Sequence, residues 1–358
     1  MRTTNFLITL LFVSSSVLAV DAPAPSRDIL VGINYFAGWW EPLPNKWHNK
    51  DGDWREKLPE RRPLLGGYNT QATMNAEIDV AADHGVDFFA ILWYYNSDGK
   101  PREANSLFLE RGLNTFMAAP NAERMKFMVE FCNHPPYEVE NDADWEACIQ
   151  TWMPAFAHPS YLRVAGKLVF KVHGGHYFLQ QNGKDKARCR RQLERLRSAV
   201  RDAGLGEMLI GCGVGNQEAI PAGHWAAELF DYTATYMEVP PLPQQSKDYP
   251  YATLMDHTEK GWKKHAQDAV PYMPHMPAGW CPRPWPDKRA YFALPTRDEW
   301  RDGLQRLKTQ IKKNACFGLG DEKAFTIYAW NEFGEGGFVA PTQGDQYMKL
   351  DEIKKVFE

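Results

Sequence analysis

A chain of 358 residues with a formal charge of −4 suits one large barrel or two ordinary domains, and it holds ample apolar surface for a core. So small a charge, with no block of Lys or Arg, excludes a surface built to follow a phosphate backbone, and no nucleic-acid partner is expected. The excess in composition is aromatic, with 13 Trp and 15 Tyr; such rings carry an apolar face and a polar handle and suit either a core or the C–H faces of sugars.

In chain order the first segment reads as an export leader. Arg2 supplies a positive start, Phe6 to Val13 an apolar stretch and Val17-Leu18-Ala19 small residues for cleavage. The stretch is too short to span a bilayer. The expected division is therefore a leader over 1–19, a linker over 20–28 that contains Ala22-Pro23-Ala24-Pro25, and one domain over 29–358. A secreted or periplasmic location follows, with no membrane anchor after cleavage. The six cysteines are widely spaced without a C-x-x-C pair, so one or two disulfides are open and unassigned.

From residue 29 short apolar runs alternate with amphipathic stretches. Strands are expected over 29–35, 86–93, 127–132, 167–172, 208–213, 232–237, 271–276 and 325–330. Helices are expected over 74–84, 104–118, 143–157, 184–203, 254–266, 297–313 and 350–357. Continuous apolar strands mark a parallel sheet covered on both faces, and strict alternation marks an α/β fold. Eight strands, seven of them followed by a helix, in this length point to a single (β/α)8 TIM barrel with long loops after strands one, six and seven. The rival, a doubly wound sheet, usually carries a Gly-rich phosphate turn after its first strand. Here that turn reads Asn34-Tyr35-Phe36-Ala37-Gly38-Trp39-Trp40.

A barrel gathers its chemistry at the C-terminal ends of its strands. Those ends hold Tyr35, then Trp93 and Tyr94 with Tyr95 and Asn96, then Glu130, Asn133 and His134, then His173 and His176. Tyr236 and Glu238 follow, then Trp280, Arg283 and Trp285, and finally Trp330, Asn331, Glu332 and Glu335. Tyr35, Trp93, Tyr94, Asn133, His134, Tyr236, Trp280 and Asn331 are expected to line a site for a polyhydroxylated ligand. The last segment, Asn331-Glu332-Phe333-Gly334-Glu335-Gly336-Gly337, breaks a buried strand with glycines that accept unusual backbone angles. Its two carboxylates lie at most roughly 10 Å apart along the chain, and a glycine turn brings both to one pocket. Glycoside hydrolysis needs such a pair, and mutual repulsion keeps one of them protonated. Glu332 and Glu335 are the expected catalytic residues. Glu130 and Glu238 are alternative second acids, though an inward acid is more often ion-paired. His173-Gly174-Gly175-His176 lacks a carboxylate partner for a metal, and Asn49-Lys50-Asp51-Gly52-Asp53 places its Gly wrongly for a calcium loop. No metal or cofactor is expected.

The run Ala329 to Gly336, with Pro341 and Tyr347-Met348-Lys349-Leu350 beyond it, resembles glycoside hydrolase family 99 and its wider relatives. These include endo-α-mannosidases, endo-α-mannanases and bacterial proteins labelled as glycosyltransferases of polysaccharide biosynthesis. Gly32-Ile33-Asn34-Tyr35-Phe36-Ala37-Gly38-Trp39 and the segment His84 to Tyr94 resemble the family too. The resemblance implies a (β/α)8 barrel and retaining hydrolysis through a 1,2-anhydro sugar. Glu332 then takes the proton of the sugar 2-hydroxyl, and Glu335 acts as acid and afterwards as base. A secreted, endo-acting glycoside hydrolase of a polysaccharide or oligosaccharide, with α-mannosides among the candidates, is the expectation. A glycosyltransferase and a non-catalytic glycan-binding barrel are the alternatives. Glu-Phe-Gly-Glu and the segment Gly279 to Trp285 depart from the mannosidase pattern, so the sugar stays open.

Overall fold

Strands buried on both faces have nowhere to go but between layers of helices, and the chain builds that arrangement in a computed structural model that describes residues 28–68, 70–95 and 104–358. The expected leader, residues 20–27 of the linker and Asn96 lie outside the described residues. The strands are β1 (Leu30–Tyr35), β2 (Phe88–Tyr94), β3 (Lys126–Cys132), β4 (Lys167–Val172), β5 (Met208–Gly213), β6 (Tyr232–Ala234), β7 (Tyr272–Met273), β8 (His275–Pro277) and β9 (Ala324–Tyr328). All pair in parallel along the path β7-β6-β5-β4-β3-β2-β1-β9-β8. The two ends of that path, β7 and β8, are separated only by Pro274, which has no N–H to give to a ladder. They are one broken strand, and the sheet therefore closes into a barrel of eight positions, as the sequence pattern implied.

The helices between strands are α1 (Gln71–Asp83), α2 (Ala104–Met117), α3 (Asp142–Phe156), α4 (Gly175–Gln181), α5 (Lys186–Asp202), α6 (Trp225–Leu229), α7 (Tyr251–His265), α8 (Arg297–Lys313) and α9 (Met348–Phe357). Local signals set several starts. Thr70 caps α1, Asp185 caps α5, and Thr296 with Glu299 forms a reciprocal capping box on α8. The short helices α4 and α6 were not expected; at seven and five residues they fall below the length at which an apolar period is legible. Among the described residues no helix is long and apolar enough to cross a membrane.

The barrel interior interlocks large rings with missing side chains. A Cβ on Gly32 would lie 2.1 Å from the Phe88 ring, and one on Gly211 2.2 Å from the Tyr232 ring. These glycines therefore exist to admit the rings at interior density. Above the barrel the loops after β1 and β8 stack their indoles on each other. Trp39 lies 4.0 Å from Trp47 and 6.2 Å from Trp285, and Phe333 sits 5.8 Å from Trp39. Much of the aromatic excess is thus loop core, with Trp39 and Trp47 fully buried. All six cysteines are free thiols, five of them buried.

Candidate active site

The chain leaves β9 and turns back at once. Asn331 and Glu332 pair antiparallel with Phe338 and Gly337, leaving Phe333 to Gly336 as the bend. Glycine is required on two sides of it. A Cβ on Gly337 would lie 2.2 Å from the Tyr328 ring, and one on Gly334 2.0 Å from the Trp285 ring. Two aromatic rings therefore pack directly against the bend. Tyr236, just beyond β6, donates its hydroxyl to Glu332 Oε1 at 3.1 Å. Tyr328, the last residue of β9, donates to Glu335 Oε2. The two phenol rings meet edge to face at 5.0 Å, so the two carboxylates share one aromatic cleft.

The electrostatics follow from burial. Desolvation and then the charge of Glu335 push the Glu332 carboxyl well above the usual carboxylate range, against Lys46 and the Tyr236 hydroxyl. Desolvation also raises Glu335, opposed by the Tyr328 hydroxyl, Lys46 and Arg289. Glu332 is 8% exposed and Glu335 is somewhat more open. Two such carboxyls cannot easily both ionise, so the pair titrates as a unit and retains one proton into the neutral range. In the free protein the deeper Glu332 is the natural holder of that proton.

Two cations flank the pair. Lys46 Nζ stands 4.4 Å from the centre of the Phe36 ring and 5.9 Å from that of Trp285. The Arg289 guanidinium lies 4.0 Å over Trp280 and is held by Asp287 at 2.5 Å. Sequence reasoning singled out neither. Both lie on long loops, where no periodicity marks a residue as facing the site.

Of the eight expected lining residues, four come together here. Tyr236 has been described. Tyr94 faces the same cleft, its hydroxyl pushed up by burial and then by Cys132 and Glu332, with its ring 5.9 Å from His134. His134 is half-buried at the rim, and Trp280 packs 6.1 Å from Tyr328. The other four are placed elsewhere. Tyr35 points outward and donates to Glu77 of α1 at 2.8 Å. Trp93 also points outward, 5.1 Å from Trp152 of α3. Side chains alternate along a strand, so neighbours such as Trp93 and Tyr94 cannot both face the lumen. Asn133 spends its amide on the backbone of Gly174, accepting at 2.9 Å and donating at 3.0 Å. Asn331 does the same to Phe36, at 2.8 Å in both directions. These two asparagines tie loops together.

The remaining candidates also have partners. Glu130 is buried on Asn34, Lys171 and His173. Glu238 accepts from the Asn216 N–H at 2.6 Å and lies 3.0 Å from His257 Nε2. His176 is exposed and its ring lies 3.9 Å from that of Tyr177, apart from the Glu130–His173 pair. The segment Asn49 to Asp53 is a tight hairpin turn, with Gly52 at φ +102°.

A family model described as glycosyltransferase WbsX matches residues 59–353. No curated protein matches the chain. Among solved structures, a glycoside hydrolase-like protein aligns over 95% of this chain and 98% of its own, at 16% identity and a TM-score of 0.61. The GH99 endo-alpha-mannosidase from Bacteroides thetaiotaomicron aligns over 91% and 95% respectively, at 14% identity and a TM-score of 0.56. The exo-beta-1,4-mannosidase Op5Man5 from Opitutaceae bacterium strain TAV5 aligns over 92% of this chain and 59% of its own, at 13% identity and a TM-score of 0.52. At these identities the likeness is one of fold.

Proposed function

This chain belongs to the family described as glycosyltransferase WbsX, and from that premise we propose that it is a glycoside hydrolase of a polysaccharide or oligosaccharide, working through Glu332 and Glu335. The observation that carries the reading is the paired arrangement: two carboxyls on one turn-back, each taking a tyrosine hydroxyl, with both pKa values raised by burial. Both acids come from the same turn-back after β9, Glu332 at its start and Glu335 within its bend. That favours attack by the sugar's own 2-hydroxyl over two carboxylates facing each other across the bond. In this reading Glu332 removes the proton of the 2-hydroxyl as that oxygen closes on C1. Glu335 protonates the departing glycosidic oxygen, and then deprotonates the water that opens the anhydro ring. The configuration at C1 is retained. The free protein favours the pair's proton on Glu332, so substrate entry has to shift it to Glu335. Lys46 and Arg289 beside the pair assist by favouring ionised carboxylates. The leader-like segment after Arg2 supports export, and the solved mannosidase relatives of the same fold support a mannoside among the substrates to be tried first.

The test is hydrolysis of a polysaccharide panel, with the stereochemistry of the product followed by NMR. Glu335→Gln and Glu332→Gln are each expected to lower kcat by at least about 10³-fold, as loss of acid–base catalysis does. Undiminished cleavage by both variants ends the reading. The family's description favours a second reading, transfer from a nucleotide sugar. The aromatic turn after β1, in place of a glycine-rich phosphate loop, argues against it, and measured nucleotide-sugar turnover would establish it.

A further inference from the structure

His173 follows β4 and is held more firmly than packing requires. Its N–H donates to the Phe131 carbonyl at 2.8 Å. The next residue, Gly174, is clamped by Asn133, and a Cβ on Gly213 would strike the His173 carbonyl oxygen at 1.8 Å. The side chain is fixed by Glu130, whose Oε1 lies 2.7 Å from Nδ1. Glu130 is fully buried and also receives Asn34 Nδ2 at 2.8 Å and Lys171 Nζ at 2.9 Å. Burial opposes ionisation of Glu130, yet Lys171 and His173 outweigh it and hold the carboxyl below its ordinary range.

An ionised carboxylate only accepts hydrogen bonds. Nδ1 therefore carries the hydrogen, and in the neutral ring Nε2 is left as an acceptor. Among the described residues Nε2 has no hydrogen-bond partner, and the side chain keeps 17% of its surface open. The ring lies edge to face against Tyr236 at 4.7 Å, and 6.0 Å from His134. It thus opens beside the phenol that holds Glu332. A buried ion pair adds little net stability by itself, so the better account of the Glu130–Lys171–His173 cluster is preorganisation.

We propose that His173 is a substrate-contacting residue, its Nε2 held toward the cleft to accept a hydrogen bond from a sugar hydroxyl and so seat the ring against Glu332. The proposal rests on the reading of this cleft as a sugar site. Two experiments test it on the full chain. Nitrogen-15 NMR of histidine-labelled protein at pH 8, with His173→Gln for assignment, is expected to show the Nδ1–H tautomer; an Nε2–H tautomer overturns the proposal. On a polysaccharide that the wild type cleaves, His173→Phe is expected to lower kcat/KM by about 10- to 100-fold, the scale of one lost site hydrogen bond. His173→Gln, which keeps an acceptor, should recover part of that loss. Equal losses in both variants, together with equal drops in melting temperature, show a packing role only and overturn the proposal. Failure of the hydrolase reading is separate and visible, because the wild type then cleaves nothing in the panel.

Discussion

Tyr236 shows how one hydroxyl sets the chemistry of a neighbour. It donates to Glu332, which favours the ionised carboxylate and works against the burial that raises its pKa. Removing the donor therefore moves the Glu332 pKa further upward. Tyr236→Phe is expected to shift the acidic limb of the kcat/KM profile to higher pH, and to cost about tenfold in rate on that limb. A pH–rate series on wild type and variant checks it, and an unmoved limb removes Glu332 from the role of base. The corresponding phenol on the other acid, Tyr328, was not singled out in the sequence, where it sits inside a strand like any buried aromatic.

At the scale of the element, the bend after β9 is specified by absent side chains. Gly337 leaves room for the ring of Tyr328, and Gly334 for that of Trp285. Gly337→Ala forces the Tyr328 ring aside and with it the hydrogen bond to Glu335. Overpacking of this kind typically costs about 1–3 kcal/mol. The expected result is a lower melting temperature together with a loss of activity of at least tenfold; full activity would show that the Tyr328 ring is not needed where it stands. The glycines were legible as a broken strand, and the paired carboxylates as a candidate acid pair. The ring that each glycine admits was not, since Trp285 lies far along the chain on another loop.

Across the whole molecule, a buried acid ties the first helix to the barrel beside β1 and β9. Glu77 of α1 accepts from Tyr35 at the end of β1 at 2.8 Å and from Trp330 beyond β9 at 2.7 Å. Burial raises its carboxyl to about 7, against Trp330, Tyr35 and Tyr68. A carboxyl whose pKa is higher in the folded chain binds more protons folded than unfolded. Its contribution is therefore fully present at low pH and is lost as pH rises from the unfolded value toward about 7. A shift of this size is worth about 3 kcal/mol at most. Glu77→Gln keeps one acceptor and cannot ionise, so it should flatten that part of the stability curve. Denaturant melts of both proteins from pH 5 to pH 8 read the slope directly, and identical slopes would remove Glu77 as its source.

The alternation of apolar and amphipathic runs sufficed for the barrel, because a strand buried on both faces leaves a continuous apolar run that local sequence displays. The run from Asn331 to Gly337 likewise sufficed to nominate Glu332 and Glu335, since glycines at a strand end and two acids three residues apart are visible without neighbours. What faces those acids was decided only in three dimensions. Tyr35 and Trp93 have the right chemistry for a sugar, but the period of two turns them to the helices. Asn133 and Asn331 have the right amides but spend them on Gly174 and Phe36. Lys46, Arg289 and the Glu130–His173 pair reach the cleft from loops and strands distant in sequence, and only closure of the barrel brings them beside the bend.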